Sequence, residues 1–521
     1  MCSQQFQRIR SHREVKTILK VLIVFFIAFI PRIFFIDRTS IMTDEPLYVY
    51  AGRNYFQSFL RFNFETDIWR INAEHPPIAK LLIGFASSIF IHLLGGENTH
   101  NLYFAARLAP VAAGTLTCVA TYLFGRRCYG EKAAFLASIL TAVSPWLVYY
   151  STLAILDIFV SFFITLTFIF LCYAETDRKY YILAGIFLGL AVGSKGTAVA
   201  AIPGIILYLF ITNIASWGAK RGILRVMKIL LLLLAVAALA FFASWPWLWR
   251  NTLERIVWVL AYHRNHMIRG HSTFYAGKVY THVPPWVPVY VLFVKTPLLL
   301  FFLSVIFILF MFFKIIKKES IKNGYISVFS WLIGGVLTMS VFPIIIGDHY
   351  LVFLGPAILI SASIAATDLI WNLKMKNLKS TFTPYILMFL MIMECLAGLA
   401  IYNSSPCGYA NELINRADKS VLIIDTGFED VAEYLIKHVK RGAVIAVAYS
   451  PNLLKIELLR KNEADFKLVT MKELSSAEYA VFPSIYSQRW GIPKNVMNEW
   501  ELVHVARSGE TVLCYVFKAP H

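Results

Sequence analysis

The stretch TILKVLIVFFIAFIPRIFFI at residues 17–36 decides the class of this protein. It is apolar and long enough to cross the hydrocarbon core of a bilayer. The whole chain shares this character, since 58% of its 521 residues are apolar and only 15% are charged, whereas soluble domains are about 25% charged. With a mean hydropathy of +0.62, the sequence predicts a mainly α-helical, multi-pass membrane protein. No small-residue cleavage site follows this stretch, so we expect it to remain as an N-terminal anchor.

Ten further apolar stretches predict further spans. They lie at 102–124, 133–150, 158–174, 181–193, 197–215, 226–244, 287–313, 325–346, 349–371 and 383–402. The number of spans depends on one more apolar stretch, 78–94. If this stretch crossed the membrane, every later basic loop would fall outside the cell. We therefore expect 78–94 to lie along the membrane surface, which leaves eleven spans.

The basic loops give the expected orientation. The chain has 49 Lys and Arg against 31 Asp and Glu, a net charge of +18, while residues 403–521 carry fourteen of each sign. The excess therefore belongs to the hydrophobic part, which favours membrane topology over nucleic-acid binding. The loops that would all fall inside are 126–127, 178–179, 220–228, 314–322 and 374–379. We expect a cytoplasmic N-terminus and an extracytoplasmic C-terminus in the cell membrane.

The pattern changes near residue 403. Short apolar runs then alternate with helical stretches, which predicts a small soluble α/β domain; the runs are 421–425, 443–449, 466–469, 479–482 and 511–517. We expect residues 1–402 to form the transmembrane domain, with outer loops 37–77 and 245–286, and residues 403–521 to form an extracytoplasmic domain. The seven cysteines stand singly, which indicates neither a disulfide framework nor a cysteine metal site.

Three acids lie at the expected outer ends of spans. Asp44 and Glu45 follow the first span in MTDEPLYVYAGRNYF (42–56), and carboxylates this close to hydrocarbon are usually functional. A solvated loop acid or a helix N-cap before Pro46 is the structural alternative. Asp157 stands in the apolar LAILDIFVSFF (153–163), where an unpaired carboxylate costs roughly 2.5–3.5 kcal/mol and so needs a partner or a function.

Cations collect on the same side. Arg107 interrupts the apolar FAARLAPVAAG (104–114), either as a snorkelling anchor or as an anion ligand. The loop 245–286 carries five Lys and Arg against the single acid Glu254, an excess that indicates an anionic partner. An interfacial belt of aromatic residues and arginines explains the loop equally well.

Together, the acids and cations suit an anionic, lipid-linked substrate whose headgroup reacts with an acceptor. Sugar transfer from a polyprenyl phosphate needs one carboxylate base for the acceptor hydroxyl and cations where the phosphate leaves. Glu74 and His75, in AEHPPIAKLL (73–82), are candidates for contacting the acceptor or supporting the acids. Ordinary helix initiation at the Pro-Pro pair is the simpler interpretation of their spacing.

The order of the motifs resembles the family 39 glycosyltransferases, which have the GT-C fold. The matching pieces are Asp44-Glu45, HPPIAKLL (75–82), the Arg107 segment, GRRCYG (125–130), LDIFVSFF (156–163), GSKG (193–196), GHSTFYAGKVYTHVPPWVPVYVLFVKTP (270–297) and HYLVFLGP (349–356). They cover roughly residues 15–440, and their order is more specific than any single piece. The family includes polyprenyl-phosphate-mannose protein mannosyltransferases and, more distantly, the lipid A aminoarabinose transferases.

The resemblance implies inverting transfer of a sugar, mannose or a similar hexose, from a polyprenyl- or dolichyl-phosphate to a hydroxyl of a lipid, glycan or protein at the outer face. It implies Asp44 as the base and Asp157 as a second active-site acid, with Glu45 beside them as the third catalytic candidate. The candidate contacts to the donor phosphate are Arg107, Lys195, Arg264, Lys278, His349 and Tyr350. His349 stands where many relatives have Arg, so we expect the phosphate contacts to differ here.

The resemblance also implies a divalent metal, zinc or else magnesium or manganese. In the aminoarabinose transferases, a glutamate at the place of Glu74 and a histidine of the later loop hold zinc. Here His263 and His266 compete for the histidine position, and two protein ligands are few for zinc. Pairing of Glu74 with Arg264 or another loop cation is the alternative.

Two functions from other classes also fit the composition. Many spans with intramembrane Asp157 and Arg107 are compatible with a secondary transporter or flippase for an anionic lipid-linked substrate. An α/β binding module anchored by the spans is the other, although eleven spans exceed what anchoring requires. The loop 245–286 is too short to hold the β-trefoil insert of the eukaryotic protein mannosyltransferases, which weakens the case for a protein acceptor.

Overall fold

Helices make up most of the structure, a computed structural model that describes residues 2–64, 67–342, 344–369, 383–414, 416–463 and 465–520. Side chains are described from residue 14 onward, apart from those of residues 215–217, 219, 369, 383 and 384. The predicted basic loop at 374–379 lies outside these ranges.

The first half of the chain is a succession of helices. They are α1 (Cys2–Phe35), α2 (Glu45–Leu60), α3 (Ile78–Leu93), α4 (Thr99–Leu123), α5 (Gly125–Tyr129), α6 (Glu131–Val143), α7 (Pro145–Tyr150), α8 (Asp157–Ala174), α9 (Lys179–Val192), α10 (Ile202–Trp217), α11 (Ala219–Ser244) and α12 (Thr252–Arg269). Short 3-10 turns lie between some of them, at Asp67–Arg70, Gly196–Ala201 and Pro246–Trp249.

A two-stranded antiparallel hairpin, β1 (Thr273–Tyr275) and β2 (Lys278–Tyr280), then leads back to helices. These are α13 (Val287–Lys295), α14 (Leu298–Ile316), α15 (Asn323–Val341), α16 (Gly355–Ile364) and α17 (Thr383–Ile401), with a 3-10 turn at Asp348–Leu354 before α16. The hairpin lies within the predicted outer loop 245–286.

Within the described ranges, eight helices are long and apolar enough to cross a membrane by length and composition. They are Glu14–Phe35, Thr99–Leu123, Asp157–Ala174, Gly196–Ile214, Lys220–Ser244, Leu298–Ile316, Asn323–Val341 and Asp348–Asp368. Three apolar helices are shorter, namely Ile78–Leu93, Lys179–Val192 and Tyr385–Ile401. The multi-pass architecture is thus confirmed, whereas the total of eleven spans and the orientation stay predictions.

Two of the predicted spans are broken by proline. The stretch 133–150 is divided into α6 and α7 at Ser144, and 287–313 is divided into α13 and α14 at Thr296. Each of these residues precedes a proline and has extended backbone, with ψ of 119° and 134°. Proline clashes with an α-helical residue before it and supplies no N–H, so a continuous helix cannot pass through these points.

The C-terminal part is a mixed sheet with helices. Helices α18 (Phe428–His438), α19 (Pro451–Arg460), α20 (Ser484–Trp490) and α21 (Lys494–Glu499) accompany strands β3 (Val444–Val447), β4 (Lys467–Thr470), β5 (Tyr479–Pro483), β6 (Glu501–Ser508) and β7 (Thr511–Lys518). The strand order is β4-β3-β5-β7-β6, parallel over the first three and antiparallel beyond. The expected small C-terminal α/β fold is confirmed, although the boundary at residue 402 stays a prediction.

One predicted strand is wrong and one was missed. The run 421–425 is buried but lies outside the sheet, because the Gln488 side chain binds the backbone of Ile423 and Val421, and Val421 makes only an isolated bridge to Tyr275. The missed strand is β6, which pairs with β7 through a tight turn at Gly509, where φ is +53°.

The C-terminal part is bound directly to the segment that follows α1. The Ile41 N–H donates to the Glu457 carboxylate over 2.5 Å, and Arg460 donates to Asp37 over 3.0 Å. The Thr43 and Tyr449 hydroxyls lie 2.9 Å apart. Residues of α19 and the end of β3 therefore sit against the loop that carries Asp44.

The topology can be tested by labelling single cysteines in a variant whose native cysteines are replaced by alanine. In intact cells, a cysteine replacing exposed Arg127 should be shielded from an impermeant maleimide, and one replacing exposed Lys472 should react, since the charge rule places the two on opposite sides. Reaction of both residues after permeabilisation is the control. Labelling of Arg127→Cys in intact cells would mean that 78–94 crosses the membrane.

Candidate active site

An ion pair between Asp157 and Lys195 stands at the centre of the candidate site. Asp157 opens α8, and Lys195 lies in the turn after α9 with extended backbone. The Lys195 Nζ donates to both carboxylate oxygens of Asp157, over 2.8 and 3.0 Å, and lies 5.1 Å from the centre of the Tyr350 ring. Both charged side chains are more than nine-tenths buried. The partner that Asp157 needs in apolar surroundings is therefore Lys195.

Asp44 lies next to this pair and is exposed to solvent. It precedes α2 without capping it through its side chain, so the N-cap alternative is not what the structure shows. The Tyr48 hydroxyl and the Lys195 ammonium are close enough to its carboxylate to favour the charged form. Crowding by protein atoms raises the pKa of Asp44 through desolvation, an effect that Lys195 and Tyr48 oppose and the charge of Glu74 adds to. A carboxylate with a raised pKa that solvent can reach is suited to accept a proton.

Glu45 and Arg107 have a different environment, because they bind each other in the interior. Both are fully buried, and the Arg107 guanidinium donates two hydrogen bonds to the Glu45 carboxylate over 2.9 and 2.8 Å. The remaining donors of Arg107 bind the loop before Asp44, at the carbonyls of Ile36, Thr39 and Ser40. Glu45 also accepts the N–H groups of Met42 and Ala154. The structure thus places neither Glu45, a predicted catalytic residue, nor Arg107, a predicted phosphate contact, at a surface that a substrate can reach.

Glu74 and His75 belong to a loop that a buried lysine holds in place. The Lys80 Nζ donates to the carbonyls of Asn72 and His75, each over 2.7 Å. The Glu74 carboxylate accepts from the Asn72 amide over 2.6 Å, and the Glu74 carbonyl lies 2.9 Å from His263 Nε2. Burial first, and then the nearby charge of Lys195, holds the pKa of His75 well below its usual range, so its ring is neutral.

The histidines of the later loop approach this segment. The rings of His75 and His263 are 6.3 Å apart, and those of His266 and His271 are 5.9 Å apart. His263 directs Nε2 to the backbone of Glu74 and not to its carboxylate. In the part of the chain that the structure describes, no group of three or more His, Cys, Asp or Glu side chains could hold a metal ion. Metal binding by Glu74 with His263 or His266 therefore stays a prediction.

The remaining phosphate candidates divide into two groups. His349 and Tyr350 face the cluster, since the two rings are 4.7 Å apart and Lys195 lies over Tyr350. Arg264, on α12, and Lys278, on β2, are exposed, and nothing in the structure ties them to Lys195. Two cavities of about 620 and 440 Å³ are lined by other residues, the first by part of α17 and the second by Asp37 and its neighbours.

Several residues of the site were missed by the sequence analysis. Tyr48, which binds Asp44, carries no signal beyond its place three residues into a helix. Lys80 and Lys295 do carry one, because each is a lysine in an apolar helix, like Arg107. Lys295 donates to the carbonyls of Cys407 and Tyr409 over 2.8 and 3.0 Å and lies 3.6 Å from the buried Asp348, which the Tyr150 hydroxyl also binds.

Comparisons with known proteins agree with the fold. Residues 74–249 match the model of the dolichyl-phosphate-mannose-protein mannosyltransferase family. An undecaprenyl phosphate-alpha-4-amino-4-deoxy-L-arabinose arabinosyl transferase from Wigglesworthia glossinidia brevipalpis is 29% identical over 144 residues, which span 26% of this chain and 25% of that relative. The similarity to this curated relative thus covers about a quarter of its length.

One solved structure extends the similarity of fold to the whole chain. ArnT from Cupriavidus metallidurans in the apo state superposes with a TM-score of 0.52 at 13% identity and covers 98% of both chains. The Archaeoglobus fulgidus oligosaccharyltransferase gives a TM-score of 0.48 at 12% identity, over 96% of this chain and 74% of that one. The GT-C fold and the resemblance to glycosyltransferases of that fold are thereby confirmed.

The buried pair predicts a structural effect for Arg107→Met. Leaving Glu45 charged and unpaired in the interior should lower the free energy of unfolding by about 3–5 kcal/mol. Thermal unfolding in detergent measures this, with Arg53→Gln as the control, because the partner of Arg53 is the exposed Glu97 and such pairs contribute about 1 kcal/mol or less.

A double variant separates the two possible roles of Arg107. Glu45→Gln combined with Arg107→Met should lose less stability than Arg107→Met alone, because no charge is then left buried without a partner. An Arg107→Met protein that melts like wild type but binds polyprenyl phosphate weakly would instead return Arg107 to the phosphate site.

Proposed function

We propose that this protein is an integral membrane glycosyltransferase that moves a sugar from a polyprenyl- or dolichyl-phosphate to a hydroxyl acceptor, with inversion at the anomeric carbon. The observation that carries the proposal is the difference between the neighbouring acids. Asp157 is bound by Lys195 and Glu45 by Arg107, whereas Asp44 is exposed beside the lysine with only a tyrosine hydroxyl on it. One carboxylate is therefore left able to act as a base next to a cation.

In the proposed reaction, the acceptor hydroxyl oxygen attacks the anomeric carbon of the donor. Its proton passes to the Asp44 carboxylate while the new carbon–oxygen bond forms. The bond between the anomeric carbon and the phosphate oxygen breaks, and the phosphate leaves with the electron pair. Attack from the face opposite to the leaving phosphate gives inversion. Polyprenyl phosphate and the glycosylated acceptor are the products.

We assign the leaving phosphate to the side of Lys195. The ammonium is fixed by Asp157 and by the Tyr350 ring, so it does not have to reorganise when negative charge develops on the leaving oxygen. Asp157 then acts by holding Lys195. His349 and Tyr350 lie on the same side as candidate contacts to the phosphate, and Arg264 and Lys278 are assigned no contact to the leaving oxygen.

The acceptor side is less constrained by the geometry. Glu74 acts electrostatically on Asp44, and the His75 ring is 6.0 Å from that of Tyr48. Both are proposed to contact the acceptor, which is a hydroxyl of a lipid, glycan or protein. The sugar is proposed to be mannose or a similar hexose, because of the family whose model matches residues 74–249. We place the reaction at the outer face of the cell membrane, with the C-terminal α/β domain on that face.

The base assignment predicts a large loss in Asp44→Asn. The amide keeps the shape of the side chain but accepts no proton, so transfer should fall roughly 10²- to 10⁴-fold. The measurement is release of polyprenyl phosphate from membranes loaded with radiolabelled polyprenyl-phosphate sugars. Asp67→Asn, an exposed acid of the same loop, is the matched control and should transfer like wild type.

Two results would count against the proposal in different ways. Transfer by Asp44→Asn at the wild-type rate would remove Asp44 as the base and leave the enzyme class intact. Counterflow of a lipid-linked substrate in proteoliposomes, without any sugar transfer, would favour a transporter or flippase.

Substitution of two neighbours of Asp44 should shift the acid limb of the pH profile of kcat/KM in opposite directions. The base must be deprotonated, so a raised pKa places the acid limb above the usual aspartate range, and activity is lost as the pH falls through it. Tyr48→Phe removes a hydrogen bond that favours the anion, which should move the limb to higher pH. Glu74→Gln removes a negative charge that disfavours the anion, which should move it to lower pH. Movement of both variants in one direction would contradict the assignment.

A further inference from the structure

Two buried polar atoms, on residues that interact electrostatically with each other, have no hydrogen-bond partner. One is Nδ1 of His349 and the other is Nε of Arg489. The His349 residue is 8% exposed and Arg489 is 9% exposed, so water does not readily reach either group. An unsatisfied buried donor costs free energy unless a ligand binds it. Two such groups within electrostatic range of each other, one of them a guanidinium, therefore indicate a place for an anion.

Arg489 comes from the C-terminal part of the chain. It lies on α20, whose position is fixed by Gln488, because the amide of Gln488 donates to the carbonyls of Asp418 and Val421 over 2.7 and 2.8 Å and its oxygen accepts the Ile423 N–H over 2.9 Å. The helix packs against strand β1 of the outer hairpin. The guanidinium is therefore held in place and does not depend on a mobile surface loop.

The contacts of Arg489 connect it to the candidate active site. The Tyr449 hydroxyl is close enough to the guanidinium to raise the pKa of Arg489 against the effect of burial. The same hydroxyl lies 2.9 Å from that of Thr43, the residue before Asp44. His349 experiences the charges of both Lys195 and Arg489. The charge of Arg489 also contributes to lowering the pKa of His271 in the outer loop. Lys195 and Arg489 thus both act electrostatically on the His349 side chain.

Arg489 forms no ion pair with any acid among the described residues. The Trp490 ring centre lies 5.5 Å from its guanidinium carbon, and the other groups that interact with it are Tyr449, Tyr275, His271 and His349. Burial lowers the pKa of the guanidinium. Arg107, by contrast, is fully buried and has Glu45 as its counter-ion. A buried arginine without a carboxylate is unfavourable by itself, and a planar guanidinium matches the oxygens of a phosphate.

The turn that carries His349 is built for close approach to the C-terminal part. A Cβ on Gly347 would lie 2.9 Å from His349 Nδ1 and 3.2 Å from the side chain of Ile424. The glycine therefore lets the Ile424 strand-like segment pack against the turn while Nδ1 stays beside it. The membrane helices and the C-terminal part both contribute atoms to this small region.

We propose that Arg489, together with His349, binds the phosphate of the lipid-linked donor, so that the C-terminal α/β domain completes the active site. This inference rests on the proposed function, since it takes the donor to be a polyprenyl phosphate. The phosphate then lies between Lys195 of the membrane helices and Arg489 of α20. The α/β domain is in this way part of the donor site and is more than an attached module.

The test is binding of undecaprenyl phosphate to purified full-length protein in detergent, measured by microscale thermophoresis. Arg489→Gln should weaken binding by about 10-fold or more, as expected for loss of a charge-assisted hydrogen bond. Arg489→Lys should lose less, because it keeps the charge but not the fork of donors. Arg507→Gln, an exposed arginine on β6, is the matched control and should bind like wild type.

Two further ligands separate the possible outcomes. Undecaprenol, which lacks the phosphate, should bind equally to wild type and to Arg489→Gln. Equal loss of both lipids in Arg489→Gln would show a packing role and overturn the proposal, as would wild-type affinity of Arg489→Gln for undecaprenyl phosphate. Inorganic phosphate that binds as tightly as the lipid, with the same dependence on Arg489, would show a free-anion site and also overturn it.

The outcome for the wild-type protein distinguishes this inference from the proposed function. If wild type binds undecaprenyl phosphate no better than undecaprenol, the proposed donor class fails, and the inference fails with it. If wild type prefers the phosphate and Arg489→Gln retains that preference, only the role of Arg489 fails. Thermal unfolding of each variant before the binding measurement shows that the protein is folded, and Arg489→Lys provides the test if Arg489→Gln does not fold.

Discussion

The buried ion pair between Arg107 and Glu45 ties together the segments from which the site is built. Arg107 projects from α4, and its donors bind Glu45 and the carbonyls of the loop that follows α1. Glu45 in turn accepts the N–H of Ala154, in the turn that leads to Asp157. One fully buried carboxylate thereby sets the distance between the segment of Asp44 and the start of α8. An interior pair of this kind is expensive to desolvate, but removal of one partner is more costly still.

From that arrangement follows a separation of roles among acids that look alike in the sequence. Asp44 and Glu45 are neighbours in the chain, yet helix α2 begins between them and turns Glu45 inward while Asp44 stays exposed. Asp157 is buried as well, but its counter-ion is a lysine at the site. Asp44 is thus exposed to solvent, Asp157 is bound by a lysine, and Glu45 belongs to a structural ion pair. Of the three carboxylates, only that of Asp44 is suited to take up a proton.

Much of this could be predicted from the sequence, and the reasons are physical. The length of the apolar stretches predicts a membrane protein, and an acid at position 157 inside an apolar stretch requires a partner. The same reasoning could not choose between an anchor, an anion ligand and an internal counter-ion for Arg107, because the choice depends on which helix packs beside α4. A place for Arg489 in the site could not be predicted, because it lies almost three hundred residues after Lys195 in a stretch with balanced charge. Pro145 and Pro297 divide two of the predicted spans, and the length of an apolar stretch by itself does not predict these breaks.

In the mechanism that we propose, the donor phosphate and the acceptor base lie on opposite sides of one reacting carbon, with Lys195 on the phosphate side. The most direct test is a cryo-electron microscopy structure of the protein with a non-hydrolysable polyprenyl-phosphate sugar. We expect the phosphate within hydrogen-bonding distance of Lys195 and the Asp44 carboxylate facing the opposite side of the anomeric carbon. A phosphate bound away from Lys195, or an anomeric carbon that Asp44 cannot reach even through one bridging acceptor oxygen, would contradict it.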